Sequence, residues 1–426
     1  MLECVDPTVG LRSNTDMTTL PFASHFASRL PSLSSSRSTT WISRIVMLGA
    51  TSIVLGIFWD ISWHRTIGRD TFWTPAHLAI QLGGMLGGFT AGWLVLWTTF
   101  FGSSEEKAAA VRLWGFSGPF GAWVTIWGCL AMLLSAPFDN WWHDAYGLDV
   151  KIISPPHVVL ALGMWSVVGG CLLLVLRQQN SNARAPVRST VDQRNTTCDP
   201  ASWFYIYGAG VLLAMASVFL TEVSFPNEQH TARFYQWCAA TYPLYLVGLS
   251  RASRFRWSAT LIALVYMLIV AGMAWVLPLF PGHPKLGPIY NRVDHFVPLP
   301  FPLLLLVPGL AIDLIRYGVG AGRGWKRDVA IVLLSSAAFV ILFTPTQWYF
   351  SKFLLGPYGQ NWFFAADRHW GYTERGGEWR TRFWNDRNPV EHSPVVLATF
   401  ATMWLRALVS SALGLILGNW MAKVRR

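Results

Sequence analysis

Charge is what this chain has least of. Asp, Glu, Lys and Arg make up 13% of its 426 residues, against 53% hydrophobic and 15% aromatic. A typical soluble domain carries about 25% charged residues, so a soluble globular fold is excluded. Cysteine is equally sparse: there are five, of which Cys4 and Cys198 are placed in cytoplasmic segments and Cys129, Cys171 and Cys238 within apolar runs. That usage excludes a disulfide framework and argues against a thiolate metal site. No flavin or dinucleotide motif is present. The first 40 residues are rich in Ser, Thr, Leu and Arg and lack a continuous apolar core before Trp41. They read as a disordered cytoplasmic tail rather than a cleaved signal.

Apolar runs are abundant, and runs of about 20 residues are what crossing a bilayer requires. Ten are expected, at 42–62, 76–98, 117–138, 157–177, 202–221, 233–250, 256–279, 299–316, 328–349 and 395–420. The fold class is therefore an all-α polytopic integral membrane bundle. With a cytoplasmic N-terminus, twenty basic residues fall on the inner side and six, Arg65, Arg69, Lys151, Arg233, Lys285 and Arg292, in the four short outer loops. The positive-inside rule then puts both termini in the cytoplasm. The net charge of +11 is a topology signal whose partner is the lipid bilayer, and it gives no reason to invoke nucleic acid. Four regions follow: a tail at 1–40, a four-helix region at 41–177, a cytoplasmic linker at 178–201, and a six-helix region at 202–426 with an outer lid loop at 350–393.

One pattern occurs twice. Phe58-Trp59-Asp60-Ile61-Ser62-Trp63-His64 is followed by His77, and Pro137-Phe138-Asp139-Asn140-Trp141-Trp142-His143 by His157. The copies also share Trp63 with Trp142, Gly68 with Gly147 and Asp70 with Asp149, and both hairpins cross in the same direction. Residues four apart stand on one helix face, so Asp60 with His64, and Asp139 with His143, reach a common point. The third ligand arrives from the next helix, where Thr74 and Ser154 are expected caps ahead of Pro75 and Pro155. A helix N-terminus disfavours imidazolium, which keeps His77 and His157 neutral and able to bind metal.

Two histidines and a carboxylate with open positions form a ligand set for non-haem iron, and one that suits copper or zinc equally. Asp70, Asp149, Trp63 and Trp142 are placed to orient ligands and exclude water. Alternatively the tryptophans form an interfacial belt, and the Asp and His residues anchor helix ends by pairing with Arg65, Arg69 and Lys151. Ionisable groups at membrane depth are costly and usually functional.

The pattern Asp-x3-His-x12-His, followed downstream by Asn/Asp-x3-His-x13-His, resembles the C subunit of the copper membrane monooxygenases, the particulate methane and ammonia monooxygenases. The resemblance covers roughly residues 55–160. It implies copper at Asp60, His64 and His77, and a second copper site at Asp139, His143 and His157, where Asp139 stands in place of the family's Asn. It further implies dioxygen-dependent oxidation of a small, poorly polar substrate, partner membrane subunits and an external electron donor. A bacterial inner membrane with the metal on the periplasmic, extracytoplasmic side is the expected setting.

A metal transporter or metal-delivery protein is the alternative of another class, although transport calls for ligands near the midplane of several spans. A non-catalytic assembly subunit is a further alternative. A haem ladder fits poorly, because the histidines lie at one face and carboxylate is not a usual axial ligand. No residue is singled out as catalytic. In the second half, Glu222, Glu228, His230, His283, Asp294 and His295 are outer polar residues that could serve as ligands, relay groups or solvated loop positions. His369 is the expected contributor from the lid. Arg406 within the tenth run requires a partner, with Asp313 the nearest acidic candidate by span position.

Overall fold

The computed structural model describes residues 35–68, 71, 73–147, 154–182, 200–226, 228–285, 293–320, 324–366 and 397–425. Helix α1 spans Ser35–Thr66, α2 Pro75–Phe101, α3 Ser104–Ala108, α4 Phe120–Tyr146 and α5 Pro155–Asn182. Between α3 and α4, strands β1 (Val111–Leu113) and β2 (Phe116–Gly118) form a short antiparallel ribbon. The later helices are α6 Pro200–Ser217, α7 Ala232–Ala252, α8 Ser258–Val276, α9 Leu306–Val319, α10 Trp325–Ala338, α11 Thr344–Leu354 and α12 Leu397–Met421. Residues Thr40–Arg426 form one compact unit. Helix α1 begins six residues inside the expected tail, and the expected linker is helical at 178–182 and again from Pro200.

Among the described residues, eight helices are long and apolar enough to cross a membrane. The chain is thus a helical protein of membrane-spanning character. Two expected spans are not among the eight. Helix α7 is long enough but more polar, with Arg233 and Gln236 in its first turns. The run expected to cross at 299–316 is helical only from Leu306, because Pro298, Pro300 and Pro302 alternate through the preceding segment. Each proline lacks an amide hydrogen and pushes its predecessor into extended conformation. Helix α9 has 14 residues, about 21 Å at 1.5 Å per residue, which is short of the hydrocarbon thickness.

The extended segment is nonetheless largely buried, and its backbone is satisfied by side chains. Val297 N–H donates to Thr66 Oγ1 (2.8 Å), Leu303 N–H to Tyr266 Oη (3.3 Å) and Leu304 N–H to Gln347 Oε1 (2.9 Å). On α9, the fully buried carboxylate of Asp313 accepts from Ala259 N–H (3.1 Å), Thr260 N–H (2.9 Å) and the Thr260 hydroxyl (2.9 Å), capping α8 from a neighbouring helix. Arg316, one turn along α9, pairs with the same carboxylate at 3.2 Å. The expected Arg406–Asp313 pair does not form, since Asp313 is already occupied. Arg406 is exposed on α12, with no ion pair among the described residues.

Between α10 and α11 the helix widens into a π turn at Phe339–Phe343, and the three pieces together make one 30-residue span, Trp325–Leu354. The lid expected at 350–393 is helical to Leu354 and continues in short 3-10 turns at Pro357–Gly359 and Trp362–Phe364. Phe363 and Phe364 pack on Phe301, and Trp275 Nε1–H donates to Phe363 O (2.7 Å). Residues 367–393 of that lid lie outside the described residues.

The hairpins α1–α2 and α4–α5 each cross at a pair of facing glycines. A Cβ on Gly49 would lie 2.6 Å from Gly83 O, and one on Gly128 would lie 2.6 Å from Gly163 O. Only glycine lets the backbones approach this closely, the usual device of membrane helix pairs. Gly49→Ala or Gly128→Ala forces the helices apart. Each is expected to cost about 1–3 kcal/mol, seen as a lowered melting temperature of the detergent-solubilised protein; an unchanged melting temperature contradicts the packing account.

Candidate metal centre

Each hairpin places its ligand residues at one end. Asp60 and His64 occupy the last two turns of α1, and Asp139 and His143 the last turns of α4. His77 and His157 are third in α2 and α5, behind the helix-starting prolines. Gly68 and Gly147 follow the two helix ends at positive φ, 79° and 82°, which glycine adopts without a Cβ clash.

In the first trio, Asp60 Oδ1 lies 3.1 Å from His77 Nε2, and Oδ2 lies 3.7 Å from His64 Nε2. One donor atom from each residue falls within 4.8 Å of the other two. Nitrogen and oxygen ligands about 2.0–2.2 Å from one ion stand roughly 3–3.5 Å apart, so these spacings fit a shared cation after modest closure. The Asp60 side chain is 19% exposed, and its Oδ1 is buried with no hydrogen bond. Such an atom is costly unless a charge meets it. His77 Nδ1–H donates to Thr71 O (2.8 Å), and in the neutral ring this leaves the Nε2 lone pair facing Asp60. Two acceptors facing each other across 3.1 Å repel, and a cation between them, a proton or a metal ion, resolves the conflict. His64 is 48% exposed, so the centre opens to the outside.

The second trio is built alike but is wider across the helices. His143 Nε2 lies 3.4 Å from Asp139 Oδ2, and His157 Nε2 3.9 Å from Asp139 Oδ1, which is again buried without a hydrogen bond. His143 Nδ1–H donates to Gly147 O (3.1 Å), and His157 Nδ1 meets Ser154 Oγ at 2.7 Å. Three of the four imidazoles thus hold Nδ1 against an oxygen and aim Nε2 at a carboxylate, the orientation usual for metal-ligating histidine. Among the described residues, however, the first trio alone brings all three donor atoms within 4.8 Å.

The expected caps act differently from the reading of the sequence. Thr74 occupies the N-cap of α2, but its side chain makes no cap bond and instead accepts Thr71 N–H (2.9 Å), while Thr74 N–H donates to Thr71 O (3.0 Å). This turn presents the Thr71 carbonyl to His77. Ser154 likewise contacts the ring of His157. Both residues are recruited to orient histidines, a use that helix-start patterns do not signal. Trp63 packs on Phe296 (5.6 Å between centroids) and Trp142 on Tyr146 (4.4 Å). Arg65 stacks over Phe225 at 4.6 Å. Asp70, Asp149, Arg69, Lys151 and His369 lie outside the described residues.

No family model, curated protein or solved structure matches the chain.

Of the polar residues singled out in the second half, His230 is buried, and Asp294 and His283 are exposed. Asp294 and His295 pair with each other at 2.9 Å in an exposed loop, and His283 is exposed. His230 is buried against Trp348 (4.4 Å, edge to face), with Ser351 Oγ 3.2 Å from its ring. Gln229, beside it, accepts from Gln347 Nε2 (2.7 Å) and donates to Ser224 O (2.6 Å). Burial pushes the His230 imidazole down to about 4 from its ordinary 6.5. The unfolded chain binds this proton near the ordinary value and the folded chain does not, so His230 lets stability fall as pH drops from 6.5 towards 4 and leaves it untouched above 6.5. His230→Gln is expected to flatten that part of the stability profile, read by thermal melts across pH; an identical slope in the variant refutes the assignment.

Proposed function

We propose that this chain is an integral membrane metalloprotein whose first four helices form a duplicated metal-binding hairpin on the extracytoplasmic side of a bacterial inner membrane. The observation that carries the reading is the convergence of Asp60, His64 and His77 within 4.8 Å around a buried, unbonded carboxylate oxygen. The duplication is supported by the glycine crossings: Gly49 and Gly128 each stand eleven residues before the trio's Asp, and Gly83 and Gly163 six after its second His. Both termini are cytoplasmic in this reading. Helix α7 and the proline-led segment ending in α9 complete ten membrane passages, and a satisfied extended backbone is tolerated at that depth when buried in protein.

The donor set of two imidazoles and a carboxylate accepts copper, iron or zinc, and the resemblance to the copper membrane monooxygenases favours copper. When bound there, copper would supply redox chemistry toward dioxygen, with electrons from an external donor and with partner membrane subunits. The residues of this chain hold the ion. Asp60 supplies the charge, and the carbonyl of Thr71 keeps the His77 Nε2 lone pair pointed inward. The exposure of His64 leaves an approach from outside. At the second trio, the wider spacing across the helices favours another reading as well, in which Asp139, His143 and His157 form a polar staple between helix ends without an ion.

Metal content by mass spectrometry of the detergent-purified protein tests the proposal. The wild type is expected to carry at least one equivalent of copper, lost in Asp60→Ala and in His64→Ala. Loss of a further equivalent in His143→Ala supports a second site, and no loss supports the staple. Iron in place of copper redirects the redox assignment; a wild type that neither retains nor takes up any of the three metals overturns the proposal.

A further inference from the structure

The two trios have the same residues on equivalent elements, yet they differ in closure, and the difference lies on the far side of the helix. Asp60 and His64 face α2. Ser62 and Thr66 stand on the opposite face of the same turns, both buried, where they meet the main chain of Val297. Ser62 Oγ donates to Val297 O (2.5 Å), Val297 N–H donates to Thr66 Oγ1 (2.8 Å), and the Thr66 hydroxyl donates to Ser62 O (2.6 Å). The loop behind Val297 holds the same helix end. Lys285 N–H donates to Ile67 O (3.0 Å), and Gly282 packs so closely on Thr66 that a Cβ there would lie 2.8 Å from Thr66 Cγ2.

The corresponding positions in the second copy are Trp141 and Ala145, two and six residues after Asp139. Both are exposed, and neither has a hydroxyl. Trp141 packs instead on aromatics of its own helix, Phe138 (5.9 Å) and Tyr146 (6.1 Å). The trio with the shorter carboxylate–histidine distance across the helices, 3.1 Å at Asp60–His77 against 3.9 Å at Asp139–His157, is the one whose helix end carries the Ser62–Thr66 clamp.

We propose that Ser62 and Thr66 are positioning residues of the first metal site, through which the second half of the chain locks the last turns of α1 and sets the distance between Asp60, His64 and His77. This rests on the metal-binding reading above. A site whose ligands are held beforehand loses less freedom on binding and selects its ion by geometry. The two sites are consequently unequal: the first is preorganised, and the second must draw its ligands together.

Cobalt(II) titration of the full-length protein tests this, because its visible absorption reports coordination geometry as well as occupancy. In a His143→Ala/His157→Ala background, which leaves the first trio alone, Ser62→Ala/Thr66→Val is expected to weaken cobalt binding on the order of 10–100-fold and to shift the absorption bands. Thr66→Ser, which keeps the hydroxyl, is expected to retain both affinity and spectrum. Should the double variant fail to fold, Gly282→Ala moves the clamp off Thr66 without touching a hydroxyl, and the same spectral shift is expected. Unchanged affinity and spectrum in a folded clamp variant overturn the positioning role. A parent protein that takes up no cobalt, copper, iron or zinc overturns it by removing the metal site itself, which separates the two failures.

Discussion

A peptide group at bilayer depth has no water to bond, and leaving one unsatisfied costs several kcal/mol. Most of this chain meets that demand by being helical. The parts that are not helical show which side chains matter. The extended run from Val297 to Leu304 exists because prolines forbid a helix, and it is tolerated because Thr66, Tyr266 and Gln347 take up its amides while Ser62 takes up a carbonyl. In α7, Pro243 interrupts the backbone ladder, and the next amide, on Leu244, is bonded by Ser410 of α12 (2.9 Å). Asp313 performs the same service for the start of α8. Several long-range polar contacts in this fold repair backbone breaks, and one such repair lies directly behind the metal-ligand helix turn.

The glycine crossings act at the next level. Where Gly49 meets Gly83 and Gly128 meets Gly163, the helices touch backbone to backbone, which fixes their separation without long side chains that can adopt several rotamers. The ligands lie a few turns from these contacts, so their spacing inherits the rigidity of the crossing. What the crossings leave unspecified is the rotation and fraying of each helix end. On α1 that freedom is removed from outside, by the main chain of Val297.

The helix-hairpin architecture and the three-residue groups were legible because they rest on local rules: a 3.6-residue period, proline at a helix start, glycine just past a helix end. Asp60, His64 and His77 converge as the spacing implies. The spacing could not tell the two copies apart, since closure depends on Val297, more than 200 residues away. Nor could it reveal that Thr74 turns its hydroxyl to Thr71, because cap propensity describes the commonest partner rather than the one a neighbouring histidine makes available. That the proline-rich run is extended rather than helical does not show in its hydropathy, which scores composition: Leu-Pro-Phe-Pro-Leu is apolar whether or not it is helical. The partner of Arg406 was sought by depth, whereas Asp313 is claimed by Arg316 one turn away and by two amides.

The widened turn at Phe339–Phe343 has a consequence for everything beyond it. A turn of this kind fits one more residue into the helix than the α repeat allows, and one residue corresponds to about 100° of rotation. Thr344, Gln347 and Ser351 form a stripe of buried polar side chains that meets Gln229 and His230. In an uninterrupted α-helix of this sequence the stripe would be turned roughly a quarter of the way around the cylinder, and its hydroxyls and amide would be aimed towards hydrocarbon. The bulge therefore works as a phase shifter, letting one continuous helix present different faces to the interior in its two halves.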